Sequence, residues 1–311
     1  MAETTAITWA HATFNPWEGC TKISPGCDGC YAAARDDRFH SGVHWGPGAP
    51  RQRTAPANWR KPLAWNRKAA AAGKPFRVFC ASLADVFDNA VDPEWRFDLW
   101  QLIEATPALT WMLLSKRIGN AAAMLPGVLP NVWLLATVVN QEEAARDIPK
   151  LLATPAAVHG ISYEPALGPL KLGQWLCPTK PMACSHCGAP HVDTRWYAHR
   201  PHRLHSCQSC GGKFAGDLAY GSKNTRPRID WVICGGESGP HARPMDPAWA
   251  MSVRDQCAAA EVAFFFKQRG GARPGGDARL NGREHKAWPD HSAEASTSTA
   301  KAGAVTASSH P

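Results

Sequence analysis

From residue 76 onward the chain alternates short apolar runs rich in β-formers with longer stretches whose apolar residues recur at helical spacing. The runs at 76–81, 110–114, 132–137, 158–163, 231–234 and 263–267 predict strands, and the stretches at 93–106, 118–124, 141–152 and 247–260 predict helices. Asp92-Pro93 and Asp246-Pro247 supply N-cap and first-turn chemistry for two of those helices. Alternation of this kind is the pattern of βα units around a parallel sheet or barrel, so the expected class is α/β.

Each predicted strand runs into a polar or glycine-rich cluster: Ser82 and Asp85, Ser115-Lys116-Arg117, Asn140-Gln141, Glu164-Pro165, Gly235-Gly236-Glu237-Ser238-Gly239, and Lys267-Gln268. In parallel α/β folds the carboxyl ends of the strands form the active face, so these clusters are expected to converge on one mouth. The alternative is that strand-to-helix loops are polar for solvation alone.

The alternation stops between Leu170 and Ile229, where a segment rich in Cys, His, Pro and Arg intervenes. This reads as an insertion at 171–228 that divides a first barrel part, 1–170, from a last part, 229–288. Beyond Gly282 the chain drifts into Ala, Ser and Thr without periodicity, and 289–311 is expected to be a disordered tail.

Composition narrows the classes. At 311 residues and 44% hydrophobic content the chain is long enough to bury a substantial core. It has no run of about 18 apolar residues and no signal-peptide pattern, so neither membrane insertion nor secretion is indicated, and the expected compartment is the cytoplasm. Eleven cysteines in that setting read as ligands or reduced core thiols rather than disulfides. A net charge of +8 and a pI near 9.0 suit a polyanionic partner, as they also suit many basic enzymes of small molecules. Of the fourteen tryptophans, most are expected in the core and some are available to stack on bases.

The cysteines fall into two groups. Cys184, Cys187, Cys207 and Cys210 form two Cys-x2-Cys knuckles, the signature of a structural zinc ribbon. Nearby Arg195, His199, Arg200, His202, Arg203 and His205 would suit a nucleic-acid contact or a solvated face. Cys20, Cys27 and Cys30 sit instead on a tight loop at 15–31 with Gly19, Pro25, Gly26 and Gly29. A closed zinc or iron-sulfur site takes four protein ligands, so three thiols suggest a metal centre with one position open. A 4Fe-4S cluster is the best account; a zinc completed by His40 or His44, or three inert thiols, are the alternatives.

These residues resemble the radical S-adenosylmethionine superfamily, although its commonest spacing, Cys-x3-Cys-x2-Cys, is shorter than the Cys-x6-Cys-x2-Cys found here. The stretches Phe14-Asn15-Pro16-Trp17-Glu18-Gly19-Cys20, Ser82-Leu83-Ala84-Asp85-Val86-Phe87, Leu113-Leu114-Ser115-Lys116-Arg117, Asn131-Val132-Trp133-Leu134, Ser162-Tyr163-Glu164-Pro165-Ala166-Leu167-Gly168-Pro169 and Asp230 through Gly239 are similar to a phage and prophage family of radical-SAM-like proteins with a three-cysteine motif. The resemblance covers roughly residues 7 to 271. It implies a partial (β/α) barrel of radical-SAM type with a zinc-ribbon insertion, a 4Fe-4S cluster on Cys20, Cys27 and Cys30, bound S-adenosylmethionine, and an electron donor for the cluster. The implied reaction begins with one-electron cleavage of S-adenosylmethionine to methionine and a 5′-deoxyadenosyl radical, which abstracts a substrate hydrogen.

The substrate implied is modified thymine in phage DNA, within the bacterial host cytoplasm, isomerised from an N-linked to a C-linked glycyl-thymine. A tRNA base, a DNA photoproduct, and a non-enzymatic zinc-containing nucleic-acid-binding protein are the competing readings. Ser82, Asp85, Ser115, Lys116, Arg117, Gly235, Gly236 and Glu237 are the candidates for holding S-adenosylmethionine, with Lys116 or Arg117 on its carboxylate. Glu164, Glu237 and Lys267 are the candidate catalytic residues, with Glu164 and Glu237 suited to the methionine amino group or a substrate amine and Lys267 to a phosphate. The Gly-Gly-Glu run follows a late strand here and an early one in the superfamily, so its role is not carried over.

Overall fold

The computed structural model describes residue 5 and residues 7–176, 205–206, 213–214, 228–272 and 277–289. All four cysteines of the predicted zinc ribbon and the predicted tail from residue 290 lie outside the described residues. Within 171–228, His205–Ser206 and Lys213–Phe214 pair antiparallel.

Seven strands form one curled, all-parallel sheet: β1 (Ala12–Phe14), β2 (Phe76–Cys80), β3 (Leu109–Ser115), β4 (Val132–Thr137), β5 (Val158–Tyr163), β6 (Trp231–Gly235) and β7 (Ala263–Gln268). Their order in the sheet is their order in the chain, and all six pairings are parallel, so every connection crosses back from one end of the sheet to the other. The result is a half-barrel with all carboxyl ends on one rim.

The two faces are filled differently. Helices α1 (Tyr31–His40) and α2 (Lys61–Ala72) lie between β1 and β2, α3 (Pro93–Glu104) between β2 and β3, α4 (Gln141–Ala153) between β4 and β5, and α5 (Pro247–Ala259) between β6 and β7. Buried residues of α2 to α5, such as Trp65, Leu99, Ile103, Ile148, Leu151 and Val253, join one apolar cluster with Val78, Trp111, Leu113, Leu134, Ile161, Val232 and Phe266. Successive strand side chains point to opposite faces, so their neighbours Phe79, Met112, Trp133, Leu135, Trp231, Ile233 and Phe265 fill the concave side. Trp9 enters that side from the N-terminal segment and Trp288 from the C-terminal one, with ring centroids 4.7 Å from Phe79 and 5.1 Å from Phe265 respectively. The tryptophans expected in the core are there: Trp9, Trp17, Trp65, Trp100, Trp111, Trp133, Trp175 and Trp231 are all buried.

Local chemistry explains where the helices begin. Asp92 and Asp246 each accept the backbone N–H two residues on, at 2.9 and 2.8 Å, with proline at the first helical position. Asn140 caps α4 through the N–H of Glu143, and the Glu143 carboxylate reaches back to the N–H of Val139. The first barrel part extends past residue 170: Leu170, Leu172 and Leu176 are buried against the same core as Ile229.

Candidate active site at the carboxyl rim

The three-cysteine loop lies over the rim where the strands end. Gly19 donates its N–H to the Leu83 carbonyl at 3.1 Å, which fixes the start of the loop beside the exit of β2. Pro25–Cys27 forms one 3-10 turn, capped by Ser24, whose hydroxyl accepts the Gly26 N–H at 3.0 Å. Cys30 is the N-cap of α1 and makes no side-chain cap bond.

Between these points the loop touches four strand exits. Gly26 packs on Val139 after β4 and on Lys116 after β3; a methyl there would come within 2.7 Å of the valine side chain. Gly29 lies directly on the Glu237 carboxylate after β6, where any side chain would collide with it. The Tyr31 hydroxyl donates to the Ser82 carbonyl after β2 at 2.7 Å.

Under Cys20 runs a network of two arginines and two aspartates. Arg117 points one nitrogen at the Cys20 sulfur, 3.3 Å away, and another at the Thr21 carbonyl at 2.8 Å. Asp85 holds that arginine from behind while accepting the Ser115 hydroxyl at 2.7 Å, the Lys116 N–H at 3.1 Å and the Phe87 N–H at 3.0 Å. Arg51, with 3% of its side chain exposed, pairs with Asp88 at 2.8 Å and donates to the Thr21 hydroxyl at 2.8 Å. The pair is buried and every charge in it is hydrogen-bonded, which is the condition for tolerating charges away from water.

On the opposite side of the same rim Arg243 forms a second clamp. It makes three bonds to the Glu237 carboxylate, at 2.8 to 3.0 Å, and extends to the Pro25 carbonyl at 2.8 Å and the Asp28 carboxylate at 3.1 Å. Hydrogen bonds from Arg243 hold the Glu237 carboxyl below the usual carboxylate range, against the effect of its burial. The loop is thus tied at one end to β3 through Arg117 and at the other to β6 through Glu237 and Arg243.

A further ion pair spans three strands within the mouth. Glu164 at the end of β5 reaches past Gly235 on β6 to Lys267 on β7, with 2.6 Å between carboxylate and ammonium. A Cβ at residue 235 would sit 3.3 Å from the Glu164 carboxyl carbon, so glycine keeps that path open. Gly236 is required for a different reason: its alpha carbon packs on the Arg269 backbone, and a Cβ there would collide with the Arg269 carbonyl. Among the described residues, the Lys116 ammonium has no carboxylate partner, and its side chain lies beside Gly26.

The three thiols are free, with Cys27 buried and Cys20 and Cys30 partly so. Burial pushes the Cys20 thiol up to about 11, against the opposing pull of Arg117. No group of three or more His, Cys, Asp or Glu among the described residues converges as the ligands of a single ion would. Of the two histidines considered for a zinc site, His44 meets Asp36 through Nδ1 at 2.8 Å and His40 lies 3.9 Å from Glu18. Cluster thiolates each hold a different iron and stand around the cluster rather than meeting at a point. The loop sets Arg117 beside the Cys20 sulfur, the start of α1 at Cys30, and a glycine immediately before each of Cys27 and Cys30.

A family model described as "Protein of unknown function (DUF5131)" matches residues 4–301. The chain belongs to this family. No curated protein and no solved structure matches it. What the family contributes is therefore extent: a single matched region includes both barrel parts and the insertion between them.

Of the residues singled out in the sequence, the structure brings Cys20, Cys27, Cys30, Ser82, Asp85, Ser115, Lys116, Arg117, Glu164, Gly235, Gly236, Glu237 and Lys267 to the same rim. Asp85 and Ser115 are spent on fixing Arg117 and the β3 exit, and Ser82 bonds the Asn15 side chain at 3.0 Å. Four participants were not foreseen: Arg243, Arg51, Asp88 and Asn15. Asn15 anchors the β2 exit by accepting the Leu83 N–H at 2.8 Å. Arg243 had one local signal, an arginine four residues beyond Gly239 in a run too polar and proline-rich for a helix.

Proposed function

We propose that this protein is a radical S-adenosylmethionine enzyme acting on a base in nucleic acid, with glycyl-thymine in phage DNA as the substrate class implied by its sequence resemblance. The observation that supports the reading best is the double anchoring of the three-thiol loop across the mouth, by Arg117 on one side and Glu237 with Arg243 on the other. Inert cysteines would not require two ion-pair clamps. When bound, a 4Fe-4S cluster with S-adenosylmethionine supplies reductive one-electron cleavage and hydrogen abstraction.

The chain's own residues then have separate tasks. Cys20, Cys27 and Cys30 hold the cluster, and Arg117 offsets the negative charge of the Cys20 thiolate. Lys116 is the cation available for the carboxylate of the bound amino acid. Glu164 and Lys267 present opposite charges to whatever enters between β5 and β7, so an amine or a carboxylate on the substrate exchanges with one of them. The aromatic filling of the lower barrel keeps water from approaching from below.

The test compares nucleosides from DNA made with and without this protein in a host that supplies the upstream thymine-modifying enzymes. A new C-linked glycyl-thymine in the first sample supports the substrate; an unchanged profile rejects it. Reductive cleavage of S-adenosylmethionine by the purified protein, measured without DNA, tests the chemistry apart from the substrate.

A further inference from the structure

Outside the mouth, the lobe between β1 and β2 concentrates the chain's charge. Residues 31–75 hold nine lysines and arginines against two aspartates, most of the excess behind the net charge of +8. In this lobe a groove of about 400 Å³ opens between α1, the two-stranded ribbon of Trp17–Glu18 with Gln52–Arg53, and the turn leading into α2. Arg35, His40, Arg53 and Lys61 line it together with one carboxylate, Glu18. Glu18 lies 3.3 Å from Arg35 and 3.9 Å from His40, and Arg53 stacks 4.5 Å over the Trp59 ring while meeting Asp98 at 2.6 Å.

An exposed aromatic ring sits beside this charge: Phe39, on α1, is 63% exposed. The guanidinium groups of Arg35 and Arg38 lie 5.7 and 5.3 Å from the centre of the Phe39 ring. An acidic protein surface would be matched by the cations alone; an exposed ring flanked by arginines is the pairing that takes a base on its face and phosphates on either side.

Two elements of the groove lead directly into the three-cysteine loop. Glu18 precedes Gly19 and Cys20 in the chain, and α1 starts at the thiol-bearing Cys30. We propose that this groove is the backbone track of a single-stranded nucleic acid, with Arg35, Arg53 and Lys61 on successive phosphates and Phe39 stacking a base. The strand then passes the rim with a neighbouring base free to turn into the mouth. The inference rests on the nucleic-acid reading of the substrate and adds where that substrate lies.

The experiment is a fluorescence-anisotropy titration of a fluorescein-labelled single-stranded oligonucleotide with the full-length protein at several salt concentrations. Each phosphate contact contributes about 0.7 to the slope of log affinity against log salt, so R35Q/K61Q should make it shallower by about 1.4. F39A should weaken binding by about fivefold or more while leaving the slope in place. Unchanged slope and affinity in both variants, with circular dichroism confirming the fold, would overturn the proposal. So would competition by polyglutamate of equal charge as effective as that by unlabelled oligonucleotide, which would assign the groove to an acidic protein. Binding is read without turnover, so a protein that binds the strand but holds no iron would separate failure of the radical reading from failure of the groove.

Discussion

The Arg117 guanidinium stands 3.3 Å from the Cys20 sulfur, and the same arginine is held from behind by Asp85 at 3.5 Å. A thiol from the N-terminal loop and a carboxylate from the exit of β2 are thereby joined through a residue at the exit of β3. Replacing Arg117 with methionine keeps an unbranched apolar stem and removes the guanidinium and its charge. The expected outcome is a folded protein that surrenders its iron to a chelator several times faster than the wild type, with R117K intermediate. Equal rates of iron loss would show that Arg117 does not support the cluster.

Asp85 organises two strand exits at once, because it accepts from Ser115, Lys116, Phe87 and Arg117. D85A leaves Arg117 without its nearest carboxylate and orphans two backbone N–H groups. The expected loss of stability is about 3–5 kcal/mol, the range for removing one partner of a buried ion pair. D85N should lose less, since its amide oxygen keeps part of the network. Urea unfolding with the two variants ranked in the opposite order would contradict this assignment.

Acid should release the second clamp. Arg243 lowers the Glu237 pKa, so this group's contribution to stability is present above the unfolded carboxylate value of about 4.3 and is lost as pH falls through the lower folded value. In R243M the folded and unfolded values draw together, so the acid-side decline in the urea midpoint should flatten. Curves for wild type and R243M that stay parallel below pH 5 would remove Glu237 from the account.

The core thiols give a prediction at the other end of the scale. Burial raises the thiols of Cys80 and Cys234 and pushes Cys257 up to about 12. All three should resist iodoacetamide in the native protein at pH 8 and react on unfolding. A raised folded pKa also means that their contribution is complete below the unfolded thiol value and fades as pH climbs through the folded one, so stability should fall in strong base. Rapid native alkylation of Cys234, located by peptide mapping, would contradict the buried position of β6.

Much of this arrangement was legible in the chain, and for identifiable reasons. The strands predicted at 132–137 and 158–163 coincide with β4 and β5, because in each all six residues are buried and the run is bounded by turn chemistry. β1 was missed: Ala12–Phe14 is three residues long, too short for periodicity to register, and its place is fixed by pairing with β2 and by Asn15. α1 and α2 were missed as well, since α1 is rich in charge with few apolar positions and α2 carries a proline in its first turn followed by a run of alanines. The convergence of strand-end residues followed from parallel topology. The use made of them did not: sequence could not show that Asp85, Glu164 and Glu237 would each find a cation within the fold, because those partners come from distant segments.

Iron and acid-labile sulfide, counted in anaerobically prepared wild type and in a C20A/C27A/C30A variant, test the central claim most directly. The account predicts about four irons and four sulfides per wild-type chain, brown colour, and loss of both elements in the triple variant while zinc is retained. A colourless wild type containing zinc but no iron or sulfide, unchanged by the three substitutions, would contradict it.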